Sequence, residues 1–360
     1  MRRPPLFTFL VLLPLLPLPA QGHRTRNVIV VTLDGMRWQE IFAGADSALL
    51  FGGMAGVTDT AATARRFWRA TPRERREALL PFFWHTLAAQ GQVFGDSVRG
   101  STVAGENGFW FSYPGYNELL TGRPDPRISS NDKVLNPNAT VLEWLNGLPA
   151  YHGRVIAWGS WDVLPFILDT ARSGLPANAV NPPYPAPADT EERLIDRMAD
   201  RLPVPWDDGR LDAVAMAAAR HDLRVRHPRV LYVMLGETDN WGHDRRYDLY
   251  LDAARRSDAF LEEIWTAAQA LPQYQGTTSL IVATDHGRGA GPSEWLNHDY
   301  LPEARRIWMA VLGPDTPPLG VRSASASQGQ LASTVAALLG EDFAAARPGT
   351  PPPLPGAVRR

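Results

Sequence analysis

An α/β fold, with a mostly parallel central sheet flanked by helices on both faces, is the architecture this sequence predicts, and three observations carry the prediction. Short apolar runs rich in Val, Ile and Leu alternate with stretches of helical composition, the signature of a parallel sheet. The 360 residues suffice for one large domain with insertions. Three of the apolar runs stop at carboxylates and histidines: NVIVVTLDG at Asp34, RVLYVMLGETDNWGH at Asp239 and His243, and SLIVATDHG at Asp285 and His286. In an open α/β sheet the carboxyl ends of the strands line the functional crevice, so these distant residues are expected to converge there. Oxygen and nitrogen donors at strand ends point to a metal site.

The chain opens on MRRPPLFTFLVLLPLLPLPAQG, where Arg2 and Arg3 precede a leucine-rich run ending near Ala20; residues 1–20 read as a signal peptide. The run falls short of the roughly 20 residues of a bilayer-spanning helix, and Pro14 and Pro17 interrupt it. No transmembrane segment is expected once the leader is cleaved, and the location implied is periplasmic or secreted. The first strand occupies Asn27 to Gly35, and Arg65 to Leu87 is an arginine-rich, helix-compatible stretch. GQVFGDSV (Gly91 to Val98) is the next strand, followed by strands at Arg154–Ser160, Arg229–Leu235, Ser279–Thr284 and Arg306–Leu312. Helical composition marks Ala188–Leu202, Leu211–Arg226 and Leu249–Ala270. The proline cluster NPPYPAPAD (Asn181 to Asp189) breaks the middle, yet strands of one constellation lie on both sides of it, so the insertion 165–228 is expected to be an excursion, at most a small cap, from one domain. That domain is assigned to 27–340, and the proline-rich tail, 341–360, reads as extended or disordered.

Composition narrows the functional classes. A net charge of -2 and a pI of about 6.5 provide no global field to draw the protein to nucleic acid, so nucleic acid is disfavoured as a partner. The absence of cysteine rules out disulfides and a lipidated cysteine, so the mature chain is held by its core. Lys133 is the only lysine among 36 basic residues, an arginine bias that suggests a bacterial source.

The second chemical element is GENGFWFSYPGYNELLTGRPDP, Gly105 to Pro126. Ser112 precedes a short helical segment, where backbone amides and the helix dipole favour an anion such as phosphate or sulfate. Taken alone, Ser112 is equally an ordinary helix-capping serine. Trp110, Phe111, Tyr113 and Tyr116 surround it and either stack on a substrate ring or pack the core. Arg123, Lys133 and Arg288 are candidate positive groups at the mouth, with a solvated surface role as the default.

In combination these segments resemble the alkaline phosphatase superfamily, which includes nucleotide pyrophosphatase/phosphodiesterases, sulfatases and cofactor-independent phosphoglycerate mutases. The resemblance spans Asn27 to Leu339 and rests on five elements in the family's order, with QLASTVAALLG (Gln330 to Gly340) similar to its closing helix. It implies an alkaline phosphatase-like fold and a metal-dependent hydrolase acting on a small-molecule phosphate ester. Ser112, where phosphodiesterases carry threonine, matches the nucleophile. Asp34, Ser112, Asp285 and His286 match the ligands of one metal; Asp239, His243 and His298 match those of the other. Asn117 is assigned to a phosphate oxygen, as an asparagine is in the phosphodiesterase branch, although there it lies closer to the nucleophile. The remaining histidines (His23, His85, His152, His221 and His227) lack such settings and read as structural.

Two zinc ions would bind both the nucleophile and a phosphoryl oxygen and stabilise charge at either end of an in-line displacement. Mixed imidazole and carboxylate donors favour zinc over calcium, with manganese also accommodated. A sulfatase is the closest alternative, but the sulfatase signature needs an arginine where Tyr116 stands, and its single-metal site does not use the Asp239–His243 pair. A mutase needs a second domain after the nucleophile. A non-catalytic envelope protein keeping fold and metal is the alternative of a different class.

Overall fold

In the computed structural model, residues 23–359 are described, and the proposed signal peptide lies outside them. Eleven strands follow in chain order: β1 (Asn27–Leu33), β2 (Gln92–Phe94), β3 (Val103–Ala104), β4 (Val155–Gly159), β5 (Ala177–Asn178), β6 (Val230–Leu235), β7 (Thr278–Ala283), β8 (Arg306–Ile307), β9 (Met309–Leu312), β10 (Gly320–Val321) and β11 (Ala326–Ser327). Eight form the main sheet in the order β10-β2-β9-β7-β1-β6-β4-β5, and β11-β3-β8 form a small second sheet. The centre is parallel: Val31 of β1 pairs with Val233 of β6 on one side and Val282 of β7 on the other. Only β9 runs against its neighbours in the main sheet.

The strand sequences are apolar at nearly every position because both faces are covered. Ile29, Val31, Leu33, Val233 and Val282 point into one core, where the helices Asp212–Val225 and Tyr247–Ala270 pack. Val28, Val30, Tyr232 and Ile281 point into the other, beneath the helices Ser112–Thr121, Val141–Gly147 and Gln330–Leu338. Side chains alternate between the faces along each strand. No helix among the described residues is long and apolar enough to cross a membrane.

Four segments depart from the sequence expectation. Arg65–Leu87 is not one helix: Thr60–Phe67, Pro72–Leu79 and the π-helical turn Phe83–Leu87 are separate. Thr71 and Glu74 form a capping box with Pro72 in the first turn, which starts a new helix inside the arginine-rich run. The expected strand Gly91–Val98 stops at Phe94, before Gly95 takes φ 106°. Arg306–Leu312 divides between the two sheets at Trp308, whose buried indole N–H donates to Met36 O at 2.9 Å. The tail is extended in part but packed: Leu354 and Ala357 are buried, and Ser333 and Gln330 donate to the Pro351 and Pro352 carbonyls. The insertion is woven into the domain, since β5 extends the sheet beside β4 and Asp212–Val225 covers one face.

Candidate metal centre

The central strands deliver their terminal residues to one place. Asp34 follows β1, Asp285 and His286 follow β7, and β6 runs into the short helix Glu237–His243, which carries Asp239 and His243 one turn apart. Thr238 ties this helix to β1 through a hydrogen bond to Asp34 O. Gly35, at φ 60°, lets the two carboxylate segments approach, because a Cβ there would lie 2.3 Å from Asp239 Oδ1. Buried Asp212 holds the start of the helix: its carboxylate accepts from Ser160 Oγ at 2.6 Å, Gly236 N at 2.8 Å and Glu237 N at 3.2 Å.

Ser112 is the first residue of the helix Ser112–Thr121 and is buried. Its Oγ lies 3.2 Å from His286 Nε2 and 3.4 Å from Asp34 Oδ1. Gly115 allows the helix to rest on the β7 end, since a Cβ there would meet Asp285 O at 2.6 Å. Asp34 Oδ2 accepts from the buried Tyr116 phenol at 3.1 Å, and Asp285 Oδ1 accepts from Gly35 N at 3.1 Å. His286 Nε2 is 3.2 Å from Asp34 Oδ1 and 3.4 Å from Asp285 Oδ2. Its other nitrogen, Nδ1, faces Gly287 O at 2.8 Å, a contact that places the hydrogen on Nδ1 and turns Nε2 toward the carboxylates.

A second group lies beside the first. His243 Nε2 is 3.1 Å from Asp239 Oδ2 and 2.9 Å from His298 Nε2, which is 3.8 Å from Asp239 Oδ1. Two sets of donor atoms, Asp34–Asp285–His286 and Asp239–His286–His298, each lie within 4.8 Å of one another, as ligands of a shared ion must. These residues fit divalent metal ions. Asp285 Oδ2 is buried and makes no hydrogen bond, an orphan acceptor of the kind a cation satisfies. Nitrogen and carboxylate donors together match zinc-type coordination.

Electrostatics point the same way. Burial and the neighbouring charge of Asp34 push the Asp285 carboxyl well above the usual range. Burial alone would lower the His286 pKa, but Asp285, Asp34 and Asp239 raise it to about 10. Burial, then His286, pushes His298 down to about 4. Asp239 is raised by burial, yet Arg288, His243 and His298 together hold it well below the usual range. Concentrated negative charge with neutral imidazole beside it is an environment that recruits a cation.

All seven residues expected as metal ligands are brought together; Asn117 is not. It is buried beneath the helix, with Nδ2 donating to Arg123 O at 3.1 Å and Oδ1 accepting from Asn136 and Asn138. Asn131 instead lines the cavity of ≈ 290 Å³ that opens over Ser112, and its Oδ1 accepts from Tyr113 N at 2.9 Å. Nothing in the spacing of the SSND run distinguishes that asparagine. Arg288 is not at the mouth either: it is fully buried and ion-paired with Asp239, running past Gly242, where a Cβ would lie 2.7 Å from the guanidinium carbon. Lys133 pairs with Asp162 at 2.7 Å, and Arg123 donates to Pro348 O. Tyr113 and Tyr116 are buried and bonded to protein oxygens, and the cavity's indole is Trp161.

The arrangement defines a hydrolase of the alkaline phosphatase superfamily. Residues 57–337 match the family Type I phosphodiesterase / nucleotide pyrophosphatase, and the chain belongs to this family of phosphoester hydrolases. The match begins after Asp34, which geometry adds to the site. No curated protein matches the sequence. Among solved structures the fold is similar to a protein in the alkaline phosphatase superfamily from Vibrio parahaemolyticus (15% identity, 88% of this chain and 67% of that one, TM-score 0.51). It is also similar to murine ectonucleotide pyrophosphatase/phosphodiesterase 5, in an inactive form in complex with AMP (13%, 88% and 96%, TM-score 0.50). A third is the alkaline phosphatase PafA (10%, 89% and 96%, TM-score 0.55). At such identities the likeness establishes the fold.

Proposed function

We propose that the protein hydrolyses phosphate esters by in-line attack from Ser112, assisted by two divalent metal ions, zinc in preference and manganese as the other candidate. The observation that carries this reading is the position of Ser112 Oγ, 3.2 Å from His286 Nε2 and 3.4 Å from Asp34 Oδ1, inside one donor set and beside the other. Asp34, Asp285, His286 and Ser112 would hold one ion and Asp239, His243 and His298 the other. Bound there, the ions supply Lewis acidity and charge neutralisation. Ser112 Oγ gives up its proton to solvent and attacks phosphorus while the bond from phosphorus to the ester's leaving oxygen breaks; the alcohol departs after taking a proton from water, and a water molecule then cleaves the covalent phosphoseryl ester, releasing the phosphate product and returning Ser112 to its hydroxyl form. Tyr116 fixes Asp34, and Arg288 fixes Asp239. Asn131 would donate its amide hydrogens to a non-bridging phosphate oxygen, a reading supported by its position on the cavity wall and by the engagement of its Oδ1 with Tyr113 N. The leader reading assigns this chemistry to the periplasm or the exterior of a bacterial cell.

Tyr116 stands where a formylglycine-type sulfatase carries arginine, and its phenol is bonded to Asp34, so phosphate ranks above sulfate. The test is a matched panel of 4-nitrophenyl phosphate diesters, phosphate monoesters and sulfates on the metal-loaded protein. Phosphate esters are expected to have the higher kcat/KM, with diesters foremost. A higher value for the sulfate, or formylglycine at position 112 by mass spectrometry, would make the sulfatase reading primary.

A further inference from the structure

A second polar cavity, of ≈ 420 Å³, opens beside Thr121 at the far end of the helix Ser112–Thr121. At 1.5 Å per residue this end lies about 14 Å from Ser112, and the cavity shares no wall residue with the one over Ser112. Three arginines line it: Arg123 and Arg127 from the loop after the helix, and Arg347 from the C-terminal segment. Among the described residues Asp125 is the only acid in its wall, and that carboxylate is already engaged. It accepts from Arg127 Nη2 at 2.6 Å, Arg127 Nε at 2.9 Å and Asn138 Nδ2 at 2.8 Å. Arg123 donates to Pro348 O at 3.0 Å, and Arg347 Nε is buried with no hydrogen-bond partner. The helix end does not occupy these arginines, since Gly122 N donates to Glu118 O at 2.9 Å and Thr121 Oγ1 to Asn117 O at 2.7 Å. With Arg127 paired to Asp125, the charges of Arg123 and Arg347 are left without a carboxylate in the wall.

Two uncompensated guanidinium groups on one cavity favour an anion of matching charge. A phosphate diester carries one negative charge, whereas a monoester carries two above its second ionisation, at roughly pH 6. Guanidinium groups bind phosphate oxygens through pairs of N–H donors, and a buried N–H without an acceptor, as at Arg347 Nε, is a donor that such an oxygen satisfies. The volume falls within the roughly 300–1,000 Å³ of small-molecule sites, and Pro124, Pro137 and Ala139 give the wall an apolar part for an organic remainder. We infer that this cavity is a second binding site, separate from the metal centre, for the phosphate dianion of a small phosphomonoester, held by Arg123, Arg127 and Arg347.

The experiment is isothermal titration of the metal-loaded protein with n-butylphosphonate in alkaline buffer, where this ligand is a dianion whose carbon–phosphorus bond resists hydrolysis. Inorganic phosphate and n-butanesulfonate, a monoanion of the same shape, are titrated in parallel. The phosphonate is expected to occupy a site whose affinity falls roughly tenfold or more in Arg347→Gln and in Arg123→Gln. The unfolding midpoints of the unliganded variants should stay close to wild type, and in the wild type that site should take the sulfonate and inorganic phosphate more weakly. Absence of phosphonate binding, or affinities unchanged at every site in both variants, overturns the inference. Phosphonate held at the metal centre alone would give the latter result and would be weakened by His243→Ala instead. Sulfonate bound as tightly as phosphonate overturns the dianion, and inorganic phosphate bound as tightly overturns the monoester.

Discussion

His243 and His298 face each other nitrogen to nitrogen, with their Nε2 atoms 2.9 Å apart and the Asp239 carboxylate alongside. Two imidazoles hold this geometry by sharing a proton or by sharing a metal ion. Burial, and next His286, keeps the His298 imidazole neutral, the form that ligates a metal ion. His243→Ala is therefore expected to remove one of two metal equivalents and leave the other, measured by elemental analysis of protein purified without chelator. Unchanged metal content would rule out His243 as a ligand.

Ser112→Ala removes the nucleophile and a single oxygen donor. Turnover of an aryl phosphodiester is expected to drop by roughly three orders of magnitude or more, while metal content and the unfolding midpoint stay close to wild type. Ser112→Thr, which restores the hydroxyl, should recover part of the activity. Undiminished turnover in the alanine variant would require another nucleophile.

Tyr116 is the main test of how Asp34 is held. Its phenol donates to Asp34 Oδ2 and is buried. Tyr116→Phe keeps the ring and removes that hydrogen bond, so metal affinity or kcat/KM is expected to fall about 10- to 100-fold, the usual consequence of losing a ligand's supporting partner. Zinc titration in the presence of a competing chelator measures it; an unaltered affinity together with unaltered turnover would reduce Tyr116 to core packing.

Asp212 makes a pH prediction. Burial, and next the charge of Glu237, raises its pKa to about 7, against about 3.9 in an unfolded chain. The folded state thus binds this proton more tightly. Its stabilising contribution is complete below pH of about 4 and is lost as pH rises toward 7. In metal-stripped protein, Asp212→Asn removes that titration, so between these limits its stability should gain on the wild type by on the order of 1–3 kcal/mol. Urea unfolding at several pH values checks it, and parallel stability–pH curves would refute the assignment.

What could be read in the sequence follows from where the information lies. Asp34, Asp239 and Asp285 were legible because each closes an apolar run that can only be a central strand, and a parallel sheet gathers such ends at one edge. His298 was accessible only through the family resemblance, for it lies in a loop whose course depends on the entire fold. Arg288 could not be placed: arginine is ordinarily exposed, and only the missing side chain at Gly242 opens the channel that buries it against Asp239. Asn117 and Asn131 are equally plausible phosphate ligands by composition. The direction of the helix Ser112–Thr121 decides between them, turning Asn117 inward and leaving Asn131 on the loop over the cavity.

The most direct measurement is a zinc titration of chelator-stripped protein, followed by release of 4-nitrophenolate from bis(4-nitrophenyl) phosphate. Turnover is expected to be negligible without metal, to rise with added zinc, and to level off at two equivalents per chain. Full activity in metal-free protein, or none at any loading with zinc or manganese, would contradict a two-metal phosphoester hydrolase built on Asp34, Ser112, Asp239, His243, Asp285, His286 and His298.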